Sequence, residues 1–415
     1  GEEGKKLPLT QGSYMSYLQS GNRRIRQEAF ENLYQGYAQF KNTLAAVYEA
    51  NAKQANFYAR MHNYGSSLEA ALDDANIPVE VYENLIEAVH AHMEPMHRYM
   101  RLRKKLLGVD ELHMYDIYVP LVREMRMEIP YEKAKGMVKK GLAPLGAAYQ
   151  ELLQEGFDHR WIDVYENENK RTGAYSWGAY GTHPYVLLNY HERLNDVFTL
   201  AHEMGHALHS WHSDQKQEYL YAGYKIFVAE VASTCNEALL IHDLMENCSD
   251  EREKAYLINY FLEQFRTTLY RQTMFAEFEK ITHEMTGRGA SLNADILCRI
   301  YLDLNRAYYG ADVVSDEEIQ YEWSRIPHFY TPFYVYQYAT GFSAAIAISS
   351  KILAGEEKAL EGYFQFLSGG SSQDPIELLK LAGVDMEKRE PVERALHVFE
   401  EYVEKFEKLC CPAKC

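Results

Sequence analysis

The chain has 415 residues, 47% of them hydrophobic, enough to bury a substantial core and to form two or three domains. A formal net charge of −17 argues against a nucleic-acid partner, because a phosphate backbone is repelled wherever basic residues are not clustered. No run of 18 apolar residues and no basic-then-apolar leader at Gly1 is seen, so the sequence reads as neither membrane-spanning nor exported.

Taken in chain order, apolar residues recur every three or four positions over 22–55, 78–107, 131–153, 252–286, 316–323 and 391–409, which predicts helices there. Segments longer than 25 residues imply either long channel-forming helices or pairs broken by turns. The small basic groups at 103–105 and 135–140 fall on such mixed-charge segments and read as solvated faces. The convincing extended region is 161–190, where 161–165 and 184–190 are rich in β-branched and aromatic residues and are separated by the glycine-bearing stretch 173–181. Gly178 and Gly181 read as turn glycines that could let that stretch flex. A small sheet is expected beside the helix that follows.

That helix carries the most informative residues, the pentad His202-Glu203-Met204-Gly205-His206 inside an apolar run, with Asn195-Asp196 supplying a cap and no proline until well past His209. Residues four apart share one helix face, so His202 and His206 present two imidazoles to a single ion, with Glu203 rotated to their side. The pattern is that of two zinc ligands plus a general base. Catalytic zinc sites usually carry three protein ligands, leaving the fourth position for water. Glu230, 24 positions after His206, leaves room for a helix end, a loop and a return; Glu218 would require an immediate reversal, and Glu237 is better placed to accept from a ligating histidine. His212 has the spacing of a third histidine in the pattern H-E-x-x-H-x-x-G-x-x-H, but His209 stands where that pattern needs its helix-ending glycine. His209 and His212 are therefore expected to be exposed or hydrogen-bonded on the tail of the helix.

A second constellation lies at 325–341, where Tyr330, Tyr334 and Tyr338 are spaced to share a helical face and Pro327 and Pro332 bracket His328 in a loop. Most of these tyrosines read as packing. A phenol and an imidazole are nevertheless the groups that donate to an oxyanion in a dry site.

The segments Gly173-Ala174-Tyr175-Ser176-Trp177, 184–190, 194–206, Phe227-Val228-Ala229-Glu230-Val231-Ala232-Ser233 and 328–341 together resemble oligoendopeptidase F, of the thimet-oligopeptidase-like zinc peptidases. The resemblance extends more weakly over nearly the whole chain. It implies a mainly α, multi-helix zincin-type peptidase enclosing a substrate channel, with a small sheet next to the pentad helix. Residues 1–150 would form part of the channel wall and 151–415 the catalytic domain. His202, His206 and Glu230 would hold one zinc ion per chain, Glu203 would activate water, and His328 with Tyr334 or Tyr338 would steady the tetrahedral intermediate. The strand at 185–189 would pair with the main chain of oligopeptide substrates, whose internal bonds are cut. Members usually carry additional helical sequence ahead of the point where this chain begins, so a fragment or processed form is expected. A zinc carboxypeptidase or dipeptidyl carboxypeptidase on a similar fold, and an inactive peptide-binding scaffold, are the alternative readings.

Six cysteines in a chain this long do not form a disulfide framework. Cys235, Cys248 and Cys298 read as small buried hydrophobes, and Cys410, Cys411 and Cys415 as a frayed tail. A reducing cytoplasm is the expected home.

Overall fold

Apolar periodicity over most of the chain dictates helices, and the computed structural model, which describes residues 6–122 and 128–411, is mainly helical with two small sheets. The first long periodic segment is one helix, Arg23–Met61, whose Asn22 cap accepts from the Arg24 N–H. The second is a pair, Val79–Ala91 and Met93–Leu107, broken at His92. The third also divides: Tyr131–Gly141 and Gly146–Asp158 flank a tight turn at Ala143–Leu145, where Pro144 cannot donate. By contrast 252–286 is nearly continuous, with Glu251–Gln264 passing through a π-helical segment, Phe265–Tyr270, into Arg271–Gly287. The segment at 316–323 is a 3₁₀ helix, Glu317–Arg325, and the last predicted helix is Glu390–Cys410.

Among the described residues, Ala294–Tyr309 and Tyr336–Leu353 are helices that the periodicity did not anticipate. The latter is buried along most of its length, so its sequence is apolar on nearly every side and lacks a periodic signal. The group at 103–105 is not simply a solvated face. Arg103 is 1% exposed and donates to the carbonyls of Ile117 and Val119.

The buried residues form one continuous core reaching from Tyr14 to Phe406. At its centre helix Leu194–Lys216 packs on Ile226–Asn247, which packs in turn on Tyr336–Leu353. The first pair touches at Gly205, where a Cβ would lie 2.5 Å from Ser233 Cα and 2.8 Å from the Ala232 carbonyl oxygen. Only glycine lets the two backbones come this close. Asn236 fixes the same pair, donating to the Ala201 carbonyl at 3.0 Å while accepting from the Tyr149 hydroxyl.

Two-residue strands β1, Leu112–His113, and β5, Val313–Val314, pair in parallel. The other sheet has the order β2 (Ile162–Asp163), β4 (Tyr185–Leu187), β3 (Tyr175–Trp177), with β4 parallel to β2 and antiparallel to β3. It lies against helix Leu194–Lys216 as expected. However, β4 is the central strand with both edges already paired, so it has no edge left for a substrate main chain. The edge beside the helix is β3. Gly178, just after it, seats against Ser210, where a Cβ would meet the Ser210 side chain at 2.6 Å. That glycine is a packing contact, whereas Gly181, at φ +85°, is a turn glycine.

Candidate metal centre

The pentad helix does not start with Asn195 as its cap. Arg193 occupies the cap, and the Asp196 carboxylate in the first turn accepts from the N–H groups of His191 and Arg193, both at 2.9 Å. This carboxylate sits where the helix dipole favours negative charge. Asn195 instead accepts from the Tyr260 hydroxyl.

Two turns on, His202 and His206 project from one face with ring centroids 4.8 Å apart and planes at 83°. Glu230 comes from the second turn of Ile226–Asn247, the helix that Gly205 admits to close contact. Its Oε2 lies 3.3 Å from His202 Nε2 and 3.5 Å from His206 Nε2, and the three donor atoms fall within 4.8 Å of one another. It is the one such group of three among the described residues. Burial alone would raise the Glu230 carboxyl, but hydrogen bonds from the two imidazoles hold it well below the usual carboxylate range. Burial disfavours the charged form of His202, yet Glu230 and Glu237 outweigh it and push that imidazole up to about 10.

Glu237 lies two turns beyond Glu230, and its Oε1 meets His202 Nδ1. The contact leaves Nε2 facing Glu230. The other oxygen of Glu237 accepts from Gln264 Nε2 at 2.7 Å. Gln264, the last residue before the π-helical segment, has no sequence signature that ties it to the pentad. Glu203 is 6% exposed, and its Oε2 makes no hydrogen bond. Burial raises its pKa, as a proton acceptor working near neutrality requires.

The rival third ligand is excluded by position. The helix continues through His212 to Lys216, so that imidazole is carried away along the rod and packs edge-on to Phe364. Neither His209 nor His212 is exposed. His209 stacks on Tyr224 with centroids 3.8 Å apart, and burial pushes it down to about 3 and His212 to about 4. Glu218 is exposed in the turn after the helix.

Pro327–Tyr330 forms a single 3₁₀ turn that leaves His328 exposed. The tyrosines do not share a helix face, because the helix begins only at Tyr336. Tyr330 packs on Tyr48, and Tyr336 is buried between Tyr82 and Phe227. Tyr334 and Tyr338 gather around His328: the Tyr334 ring is stacked on it at 5.8 Å, and the Tyr338 hydroxyl lies 3.4 Å from Nε2. Burial, then Tyr334, then the Glu230 charge push the Tyr338 phenol upward, so this cluster lies within the electrostatic reach of Glu230. The helix that carries Tyr338 also passes close to Glu230, since a Cβ on Gly341 would lie 3.9 Å from Glu230 Cβ.

Residues 16–398 match the model of peptidase family M3. The chain belongs to that family. It is 50% identical over 413 residues to the oligopeptidase PepF of Bacillus subtilis (strain 168), an alignment that covers 100% of this chain and 62% of PepF. It is 43% identical to the chromosomal oligoendopeptidase F of Lactococcus lactis subsp. cremoris, covering 98% of this chain and 68% of that enzyme. Among solved structures, oligoendopeptidase-F from Enterococcus faecium superposes with a TM-score of 0.82 at 40% identity, over 99% of this chain and 68% of that one. The chain thus spans about two thirds of the length of these M3 relatives.

M3 membership implies a metal ion. The residues fit one: two imidazole nitrogens and a carboxylate oxygen converge, and beside them stands a buried carboxylate oxygen without a partner. The described cysteines, Cys410 and Cys411 included, are free thiols; Cys410 ends the last helix, and Cys415 lies outside the described residues. No helix among the described residues is long and apolar enough to cross a membrane.

Proposed function

We propose that this M3 protein is a zinc-dependent endopeptidase that hydrolyses internal bonds of short oligopeptides. The observation that carries this reading is the convergence of His202, His206 and Glu230 within 4.8 Å, beside the unpartnered Glu203 carboxylate. His202, His206 and Glu230 would hold one zinc ion per chain, with Glu237 fixing the orientation of the His202 ring. When bound, zinc supplies Lewis acidity, which acidifies water and polarises a carbonyl.

The chain's own groups supply the rest. Glu203 takes the proton of the attacking water and returns it to the leaving amine, a role suited to a carboxylate whose pKa burial has raised. His328 with Tyr334 or Tyr338 donates to the developing oxyanion. Because β4 is paired on both sides, β3 is the strand that would take an extended peptide. Its exposed Tyr175 and Trp177 would flank the peptide, and main-chain pairing gives affinity with little sequence selectivity. Residues 1–150 would form part of the channel wall and 151–415 the catalytic region. A cytoplasmic home is supported by the free thiols, and the net charge of −17 argues against nucleic acid as a partner.

The test is hydrolysis of an internally quenched oligopeptide whose C-terminus is amidated, with and without chelator. Cleavage of internal bonds that chelation stops and zinc restores is expected. Cleavage only of the free-acid twin would instead make the protein a carboxypeptidase.

A further inference from the structure

Glu279 stands outside the donor cluster and has no part in the mechanism above. It lies in helix Arg271–Gly287, 0% exposed, and its Oε1 accepts from the Phe333 N–H at 3.0 Å. Its Oε2 makes no hydrogen bond. Burial lifts this carboxyl well above the usual range, while the Phe333 N–H pulls it the other way. This carboxyl commits a single oxygen to a single loop residue.

That loop residue is unusual. Phe333 has φ +57°, the left-handed region that bulky side chains avoid. Its ring is held between Tyr82, at 5.8 Å, and His283, at 4.6 Å, and His283 is itself tied to Ser67. A buried backbone donor in a strained conformation persists only where its surroundings over-determine it. The next residue is Tyr334, stacked on His328.

We propose that Glu279 is a positioning residue which, through the backbone of Phe333, holds the Tyr334 ring against His328 in the arrangement used for hydrolysis. The inference rests on the endopeptidase reading. It explains why a carboxyl is kept in an apolar interior and why a phenylalanine takes a backbone conformation suited to glycine.

The experiment is a cycle of Glu279→Met and Tyr334→Phe on the zinc-loaded enzyme, read as kcat and KM on the internally quenched peptide, with zinc content measured for each variant. Glu279→Met, similar in bulk but without an acceptor, is expected to lower kcat at least tenfold with KM and zinc content unchanged. In the Tyr334→Phe background the same change is expected to cost less than twofold. Glu279→Gln, which keeps the accepting oxygen, is expected to retain kcat and guards against a Met variant that does not fold. Equal losses in both backgrounds, or a zinc-loaded Glu279→Gln with the kcat of Tyr334→Phe, would overturn the proposal. Failure of the endopeptidase reading is separate, because the wild type would then leave the C-terminally amidated peptide uncut, or cut it regardless of chelator.

Discussion

Glu203 is the proposed proton acceptor, a carboxylate buried beside the donor cluster with one oxygen unpartnered. Glu203→Gln keeps the shape and leaves His202, His206 and Glu230 in place. It is expected to bind zinc as the parent does while kcat falls by about 10³, the scale of general-base catalysis; a variant with parental turnover and full zinc content would remove Glu203 from its role. Glu237→Ala takes away the acceptor at His202 Nδ1 and is expected to weaken zinc binding by about tenfold to a hundredfold. Competition with a metal-indicator dye measures this directly. Residues of the pentad could be read from sequence because helix geometry converts a spacing of four into one face. Gln264 could not, since it reaches Glu237 only through the packing of helices far apart in sequence. The choice among tyrosines likewise awaited the fold, which buries Tyr336 and turns Tyr330 onto Tyr48.

Among the elements, the helix pair 194–216 and 226–247 is the one whose spacing the site cannot do without. Gly205→Ala would set a methyl group 2.5 Å from Ser233 Cα, and backbone cannot move aside as a flexible side chain can. Overpacking of this kind costs about 1–3 kcal/mol. Calorimetry should show a lower Tm, and zinc should be held more weakly because Glu230 rides on the helix that is displaced; an alanine variant with unchanged Tm and zinc affinity would mean that the pair has slack. Amphipathic helices were legible from their periodicity, whereas Tyr336–Leu353 was not, because burial on most sides erases the contrast between faces. Breaks at His92 and at Ala143–Leu145 were also hard to place, since periodicity carries across a short turn. Strand order was beyond reach of the sequence: nothing in 161–190 says that the last segment inserts between the other two.

At the scale of the whole molecule, stability should respond to acid and to neutral pH through different carboxyls. Burial pushes the Glu322 pKa upward, but Arg271 and Arg325 overcome it and hold it down to about 2 against an ordinary 4.5. A folded pKa below the unfolded one contributes stability that is complete above about pH 4.5 and is lost as pH falls toward 2. Glu279 has the opposite sign. Burial raises its folded pKa, so its contribution is complete below about pH 4.5 and is lost as pH rises through the folded value. Glu279→Gln, which never ionises, is expected to raise Tm at pH 7 and leave it unchanged at pH 4. Thermal melts at pH 7 and pH 4 check the Glu279 limb, and melts carried from about pH 5 down toward about pH 2 check that of Glu322. The close seating at Gly205 has a last consequence, for motion. With two helices backbone to backbone at Gly205 and a third resting on helix 226–247 at Gly341, the donor atoms belong to one tightly packed block. An ion held by His202, His206 and Glu230 would therefore be gripped by a single packed unit whose three donors keep their spacing together.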